Sequence, residues 1–334
     1  MRKALFVCGI VLACSAEYGL AAPGGGRAKR ESSSLQVAGE TKLSLPFKTM
    51  PQGEVVMDVY YPVKNPKNLP VVLYTHGGGW AAGTHKKISA PNFRAVFSEL
   101  SNSGFCVVSV GYRLVNGKKG VQMRDCVIDA KDALRYLSKH KDEMGIDPER
   151  CFVMGDSAGG HIAQMVLLSS PDSLLGDPEL AKYSYKMVAG VSWYGPCDFE
   201  KTSLFNHDDR PKFRDRFGGR ILLPATPERD RLKLYREMSP INYLTKDSAP
   251  LLMIQGDMDT TIPVKHAYHM QEKLKEVPAP VEIMIIKNAG HNWREATKGV
   301  AIVPGKSEII KKTTDFLKKH EAVKSRQQSL KENR

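Results

Sequence analysis

Six runs of apolar, largely β-branched residues punctuate the chain, at 71–75, 105–110, 151–154, 187–193, 251–255 and 281–286. Each is apolar on both faces of an extended backbone, the pattern of strands buried inside a parallel sheet. A further run at 53–61 predicts an antiparallel strand ahead of them. Between the runs the period changes. Over 124–139, Val127, Ala130, Leu134 and Leu137 return every three or four residues, which predicts an amphipathic helix. Residues 161–168 and 264–275 behave similarly. At 307–320, Ile309, Ile310, Phe316 and Leu317 oppose lysines, so a last helix should dock on the sheet and fray from about Glu321. Strand and helix in alternation predict an α/β fold, an open and mostly parallel sheet with helices on both faces. No internal repeat is visible. Residues 199–245 break the rhythm with charge (Asp208, Asp209, Arg210, Arg214, Asp215, Arg216) and with Pro211, Pro224 and Pro227. They read either as a solvated insertion or as a lid, lying between two strands of the sheet's second half.

Composition narrows the class. The 334 residues fit two domains of about 150, or one long α/β unit. With 42% hydrophobic and 25% charged residues, wholesale disorder, collagen and coiled coil are excluded. The net charge of +13 sits mostly at the ends, +4 on residues 1–30 and +5 on 306–334, leaving +4 for the body between. Nucleic-acid binding is therefore not expected.

The N-terminus reads as an address. Arg2 and Lys3 precede an apolar run at 4–13 and small residues to Ala22, the pattern of a secretory signal peptide. The run falls short of the roughly 20 apolar residues that span a bilayer. Export, periplasmic or extracellular, is the expectation, with cleavage near Ala21 or Ala22. Residues 11–15 also resemble a lipoprotein box in which Cys14 becomes a lipidated first residue, the only membrane contact expected. The organisation is then a signal at 1–22, a flexible leader at 23–40, one domain at 41–320 and a basic tail at 321–334. Cys106, Cys126, Cys151 and Cys197 remain, without C-x-x-C or Cys/His spacing, so no metal site is expected. A disulfide is permitted, but no pairing follows from the sequence.

Candidate chemistry sits at the ends of the strands. Gly155-Asp156-Ser157-Ala158-Gly159 fits the G-x-S-x-G nucleophile elbow, directly after one strand and before one helix. Glycines let the tight turn hold Ser157 exposed. The same letters resemble the GDSGG of chymotrypsin-like proteases, but those all-β enzymes place His and Asp before the serine. A serine hydroxyl needs a base, and an acid and a histidine follow in the expected order. Asp257 and Asp259 come after the strand at 251–255, and His291 comes after the strand at 281–286. Asp259 is preferred as the acid, with Asp257 bracing the turn. His76-Gly77-Gly78-Gly79-Trp80 follows the strand at 71–75, and the N–H groups of Gly78, Gly79 and Ala158 are the expected oxyanion donors.

Other residues carry two readings. His76 is read as a brace of the glycine loop, and His161 as a packing or supporting group. His266 and His269 lie three apart on a helix, without the carboxylate companions a metal would need. Trp80 and Trp293, flanking the oxyanion loop and the base, are candidates for walls of a substrate pocket or for simple packing.

These motifs resemble the α/β-hydrolase superfamily, in its BD-FAE-like and hormone-sensitive-lipase-like HGGGW esterase branch, over roughly residues 50–320. Residues 76–83 look like HGGGW-x-x-G, and Gly111-Tyr112-Arg113-Leu114 looks like D-Y-R-L with Gly in place of Asp. Residues 145–150 look like G-I-D-P-x-R, and Ser239-Pro240 is also familiar. The resemblance implies an α/β-hydrolase fold with a modest lid insertion. It also implies a cofactor-free carboxylesterase working through an acyl-enzyme, acting on a small-molecule or polysaccharide ester, acetyl or feruloyl among them. An amidase or arylformamidase would use the same triad. An oligopeptidase would need a large extra domain for which the chain has no room. The rival of another class is a non-catalytic binding protein on a hydrolase fold; such proteins commonly lose the serine or the histidine.

Overall fold

Eight strands form one sheet in the order β1-β2-β4-β3-β5-β6-β7-β8 across residues 35–51, 53–213 and 215–332, the part of the chain that the computed structural model describes. Strands β1 (Thr41–Met50) and β2 (Gly53–Tyr60) pair antiparallel, and β2 runs antiparallel to β4 (Cys106–Val110). Strands β3 (Leu69–Thr75), β4, β5 (Ile146–Asp156), β6 (Met187–Trp193), β7 (Leu251–Gly256) and β8 (Val281–Ile286) are parallel. This is the architecture the apolar runs predict.

Alternate residues of each central strand feed two cores. Val71, Leu73 and Val153 face one layer with α2 (Met123–Lys139), α3 (Ala158–Leu168) and Met270 of α5 (Lys265–Glu276). Val72, Tyr74, Phe152 and Met154 face the other, with α1 (Pro91–Asn102) and α6 (Lys306–Glu332). A further helix, α4 (Glu228–Glu237), lies in the insertion after a single helical turn at Gly218–Ile221.

Helix α4, strand β1 and helix α1 stood outside the expectation. Edge strand β1 carries Pro46 and two register shifts, both tolerated where one side of a strand has no partner. Helix α1 shows Phe93, Val96, Phe97 and Leu100 at helical spacing after Pro91 at its first turn.

The termini correct the organisation. The expected signal at 1–22, Cys14 and most of the leader lie outside the described residues. The end of that leader is anchored, not flexible: Leu35 is buried, Gly39 N–H donates to Tyr61 O at 3.0 Å, and Tyr61 N–H donates to Glu40 O at 2.9 Å. At the other end α6 runs to Glu332 instead of fraying at Glu321. Arg150 holds Glu321 at 2.7 Å, and Gln328 donates to Asp147 Oδ2 at 3.0 Å. The insertion is charged outside, yet buries Phe205, Phe217 and Ile221 against the rest of the chain. Cys106, Cys126, Cys151 and Cys197 are buried free thiols. Gly111 has no room for a side chain, because a Cβ there would lie 2.8 Å from Val56 O.

A buried ionic network ties β1 to α2. Lys48 Nζ sits 2.9 Å from Asp129 Oδ1 and 2.6 Å from Asp132 Oδ2, while Arg113 and Arg135 complete the two carboxylates at 2.8 and 2.7 Å. Removing one partner strands charge in a low-dielectric interior. Lys48→Met should therefore cost about 3 kcal/mol in urea unfolding. A loss near zero would mean that the two arginines alone neutralise the pair.

Candidate active site

The elbow begins where β5 ends at Asp156. Ser157 takes φ 53° and ψ −118°, and α3 starts at Ala158. A non-glycine residue at positive φ is strained and persists only where its surroundings impose it. Here they do. Ser157 N–H donates to Trp193 O at 2.9 Å, and the turn is pressed against β3. A Cβ on Gly155 would overlap Gly159 O and Thr75 Oγ1, and one on Gly159 would overlap Thr75 O. Those two glycines allow the approach.

The acid and base loops, at the ends of β7 and β8, come to meet the serine. His291 Nε2 lies 3.0 Å from Ser157 Oγ, and His291 Nδ1 lies 2.7 Å from Asp259 Oδ2. An ionised carboxylate only accepts, so the ring proton sits on Nδ1 and Nε2 is left to accept from the serine hydroxyl. Asp259 is held in turn: its Oδ1 accepts from Thr261 and Ile262 N–H at 2.8 and 2.9 Å, and Gln255 Nε2 donates to Oδ2 at 3.3 Å. Asp257 accepts from Ala289 N–H at 3.3 Å and braces the turn instead of reaching the histidine. Tyr194 meets the His291 ring edge-on, with centroids 4.7 Å apart.

The glycine loop is fixed by a group that sequence reading left as the unassigned x of G-x-S-x-G. Asp156 Oδ1 accepts from Gly77 N–H at 2.9 Å and from Tyr74 OH at 2.8 Å, and Lys87 Nζ stands 2.6 Å from Oδ2. A side chain on Gly77 would collide with that carboxylate. Gly78 and Gly79 take φ 139° and 59°. Among the described residues the amides of Gly78, Gly79 and Ala158 donate to no carbonyl or side chain, so they remain available at this edge of the sheet. His76 braces the loop: its ring stacks on Tyr112 at 4.2 Å, and Tyr112 OH donates to His76 O at 2.6 Å.

The tryptophans require a correction. Trp80 and Trp293 are each 1% exposed and cannot wall a substrate pocket. Trp80 Nε1–H donates to His161 Nδ1 at 3.2 Å, and Trp293 packs edge-on against Trp193 and Tyr194. Both are large apolar rings, and packing behind the site removes them from water. His266 and His269 face different partners. His266 is buried against Phe205, and His269 pairs with Asp198 at 2.9 Å. Among the described residues no cluster of His, Cys, Asp and Glu is placed to hold a metal.

Comparison with known proteins gives the family. The BD-FAE family profile matches residues 57–274, and the chain belongs to that family. The match takes in the glycine loop, Ser157 and Asp259 and stops before His291. Esterase LipC of Mycobacterium tuberculosis is 30% identical over 230 residues, 68% of this chain and 54% of its own. The probable carboxylic ester hydrolase LipM of the same organism is 26% identical, over 62% of this chain and 45% of its own. The chain thus spans about half the length of these curated relatives. The fold is that of an α/β-hydrolase. Thermogutta terrifontis esterase 2, in its sarin-phosphonylated structure, superposes with a TM-score of 0.66 at 22% identity, over 86% of this chain and 96% of its own.

Three buried histidines should make the stability of the fold depend on pH. Burial pulls His76 and His161 down to about 4 and His266 to about 3, from an ordinary value of 6.5. Between those values the unfolded chain holds more protons than the folded one. Stability should therefore be constant in these groups above about pH 7.5 and fall as pH drops from 6.5 toward 4. Urea midpoints at pH 7.5, 6 and 5 check this. An unchanged midpoint at pH 5 would mean that these imidazoles charge freely in the folded state.

Proposed function

We propose that this protein is an exported serine carboxylesterase that works through an acyl-enzyme on acetyl or feruloyl esters carried by a polysaccharide or its fragments. One observation carries the serine-hydrolase part of the reading: the hydrogen-bonded chain from Ser157 Oγ to His291 Nε2 at 3.0 Å and from His291 Nδ1 to Asp259 Oδ2 at 2.7 Å. The names of the relatives, an esterase and a probable carboxylic ester hydrolase, support the ester class. The signal-like N-terminus supports a substrate outside the cell, where polymers too large to import are found.

His291 takes the Ser157 proton as Oγ attacks the ester carbonyl, and Asp259 stabilises the imidazolium that forms. The negative charge that develops on the carbonyl oxygen is met by the N–H groups of Gly78, Gly79 and Ala158, donors fixed before the reaction. His291 then gives its proton to the departing alkoxide, leaving an acyl group on Ser157. Water, deprotonated by His291, attacks that acyl group, and the carboxylic acid leaves as Ser157 regains its proton. Each half-reaction uses the same groups, and no cofactor is required.

The test is hydrolysis of p-nitrophenyl acetate, butyrate and octanoate, with acetate and ferulate release from acetylated and feruloylated xylan alongside. Acetate should be preferred among the three p-nitrophenyl esters. Ser157→Ala should lose about 10⁶ in kcat, and Asp259→Asn about 10⁴. Absence of turnover, together with no labelling of Ser157 by a fluorophosphonate, would overturn the reading. Preference for octanoate with no acid released from xylan would keep the esterase and remove the polysaccharide.

A further inference from the structure

One imidazole joins three segments near the reacting serine. His161 lies on α3, four residues beyond Ser157, and its N–H donates to Ser157 O at 3.0 Å. Its Nδ1 faces Trp80 Nε1 at 3.2 Å, and its Nε2 faces Met238 O at 2.8 Å. An indole N–H only donates and a carbonyl only accepts, so the ring is neutral with its proton on Nε2. Both nitrogens are thereby committed, and His161 cannot serve as a proton acceptor for the serine. Its burial keeps it uncharged near neutral pH.

The three segments are those whose relative placement matters. Trp80 directly follows Gly79, and Met238 lies in the insertion, just before Ser239-Pro240. Trp80 stands edge-on to His161, to Phe199 and to Phe217, with centroids 5.4, 5.7 and 5.5 Å apart. Phe199 and Phe217 come from the insertion, and His161 also meets Phe199 at 5.1 Å. At Gly79 the glycine loop has open space beside it: a Cβ built there would touch nothing within 4 Å, whereas one on Gly78 would overlap Ala82 O. Its fixed points are Gly77, held by Asp156, Gly78 O, which accepts from Ala81 and Ala82 N–H at 3.3 and 3.0 Å, and Trp80, whose O accepts from Val115 N–H at 2.8 Å and whose ring alone is held by His161. Between Gly77 and Trp80 lie the two amides that must aim at the oxyanion.

We propose that His161 is a positioning residue: it locks Trp80, and with it the Gly78 and Gly79 amides, to the nucleophile helix, and ties that lock to the insertion at Met238 O. The insertion thereby helps set the register of the oxyanion loop without touching the reacting atoms. The inference rests on the esterase reading above. Misplacing preorganised donors costs rate far more than binding, since ground-state contacts with a small ester hardly change.

The test uses p-nitrophenyl acetate, with kcat normalised to sites titrated by a fluorophosphonate, so that misfolded protein is not counted. Trp80→Phe deletes the donor along with part of the buried ring, His161→Leu deletes both hydrogen bonds, and His161→Asn retains an acceptor near the Nδ1 position. Trp80→Phe and His161→Leu should each lower normalised kcat by about 10- to 100-fold with KM within about threefold. The double variant should be no worse than His161→Leu by more than about twofold, because both changes break one link. His161→Asn should recover much of the loss. If His161→Leu does not fold, Trp80→Phe and His161→Asn carry the same comparison. Normalised kcat within about twofold of the parent in Trp80→Phe, or losses that multiply in the double variant, would overturn the inference. A parent protein that neither turns over nor is labelled would instead overturn the esterase reading, and this inference with it.

Discussion

A serine held at φ 53° between a strand and a helix is the constraint on which the rest of the site is built. Such a conformation costs about 1–3 kcal/mol and needs neighbours that leave it no alternative. The sheet supplies them. Strand β5 is flanked by β3 and β6 and covered on both faces, so its last residue cannot move to relieve the turn. Gly155 and Gly159 let Thr75 come close from β3, and Trp193 O holds the serine amide from β6. The strain places Oγ at the carboxyl edge of the sheet, where loops from β3, β7 and β8 also end. Open α/β sheets gather their chemistry at this edge because the loops from neighbouring strands converge there.

Buried polar groups then fix those loops to one another. Asp156 joins nucleophile strand to glycine loop and is neutralised by Lys87 and by two donors, Tyr74 OH and Gly77 N–H. Asp259 is held by two amides on Oδ1 and by Gln255 on Oδ2, which leaves a second acceptor direction of Oδ2 for the imidazole. In both places a carboxylate is taken out of water only because it is fully partnered, and its partners include groups from another loop or strand. His161 does the same with a neutral ring. The site is a set of loops cross-braced by polar contacts, resting on an apolar sheet.

Much of this was legible in the sequence, for identifiable reasons. The parallel strands are apolar on both faces, and that pattern is unambiguous when helices alternate with it. Ser157, Asp259, His291 and the glycine loop could be found because the tight elbow and the free amides demand particular residue types at strand ends. Strand β1 was hidden because edge strands tolerate Pro46 and bulges, so their alternation is broken. Leu35 and Gly39 looked like leader because a few residues beside a Gly/Ser-rich stretch carry no period. The extension of α6 past Glu321 is accompanied by Arg150 reaching Glu321, a contact across 171 positions that no local pattern records. Trp80 and Trp293 sit next to the glycine loop and His291 in sequence, yet adjacency does not say which way a ring points. Asp156 was passed over for a similar reason: its partners Tyr74, Gly77 and Lys87 are remote in sequence.

The most direct measurement is a crystal structure of the protein after reaction with a fluorophosphonate, whose tetrahedral phosphorus stands in for the attacked ester carbon. The phosphorus should be bonded to Ser157 Oγ, with its oxygen about 2.7–3.1 Å from the amides of Gly78, Gly79 and Ala158. His291 should remain within hydrogen-bonding reach of the adduct. An adduct on another residue, or a phosphoryl oxygen turned away from the glycine loop, would contradict the account.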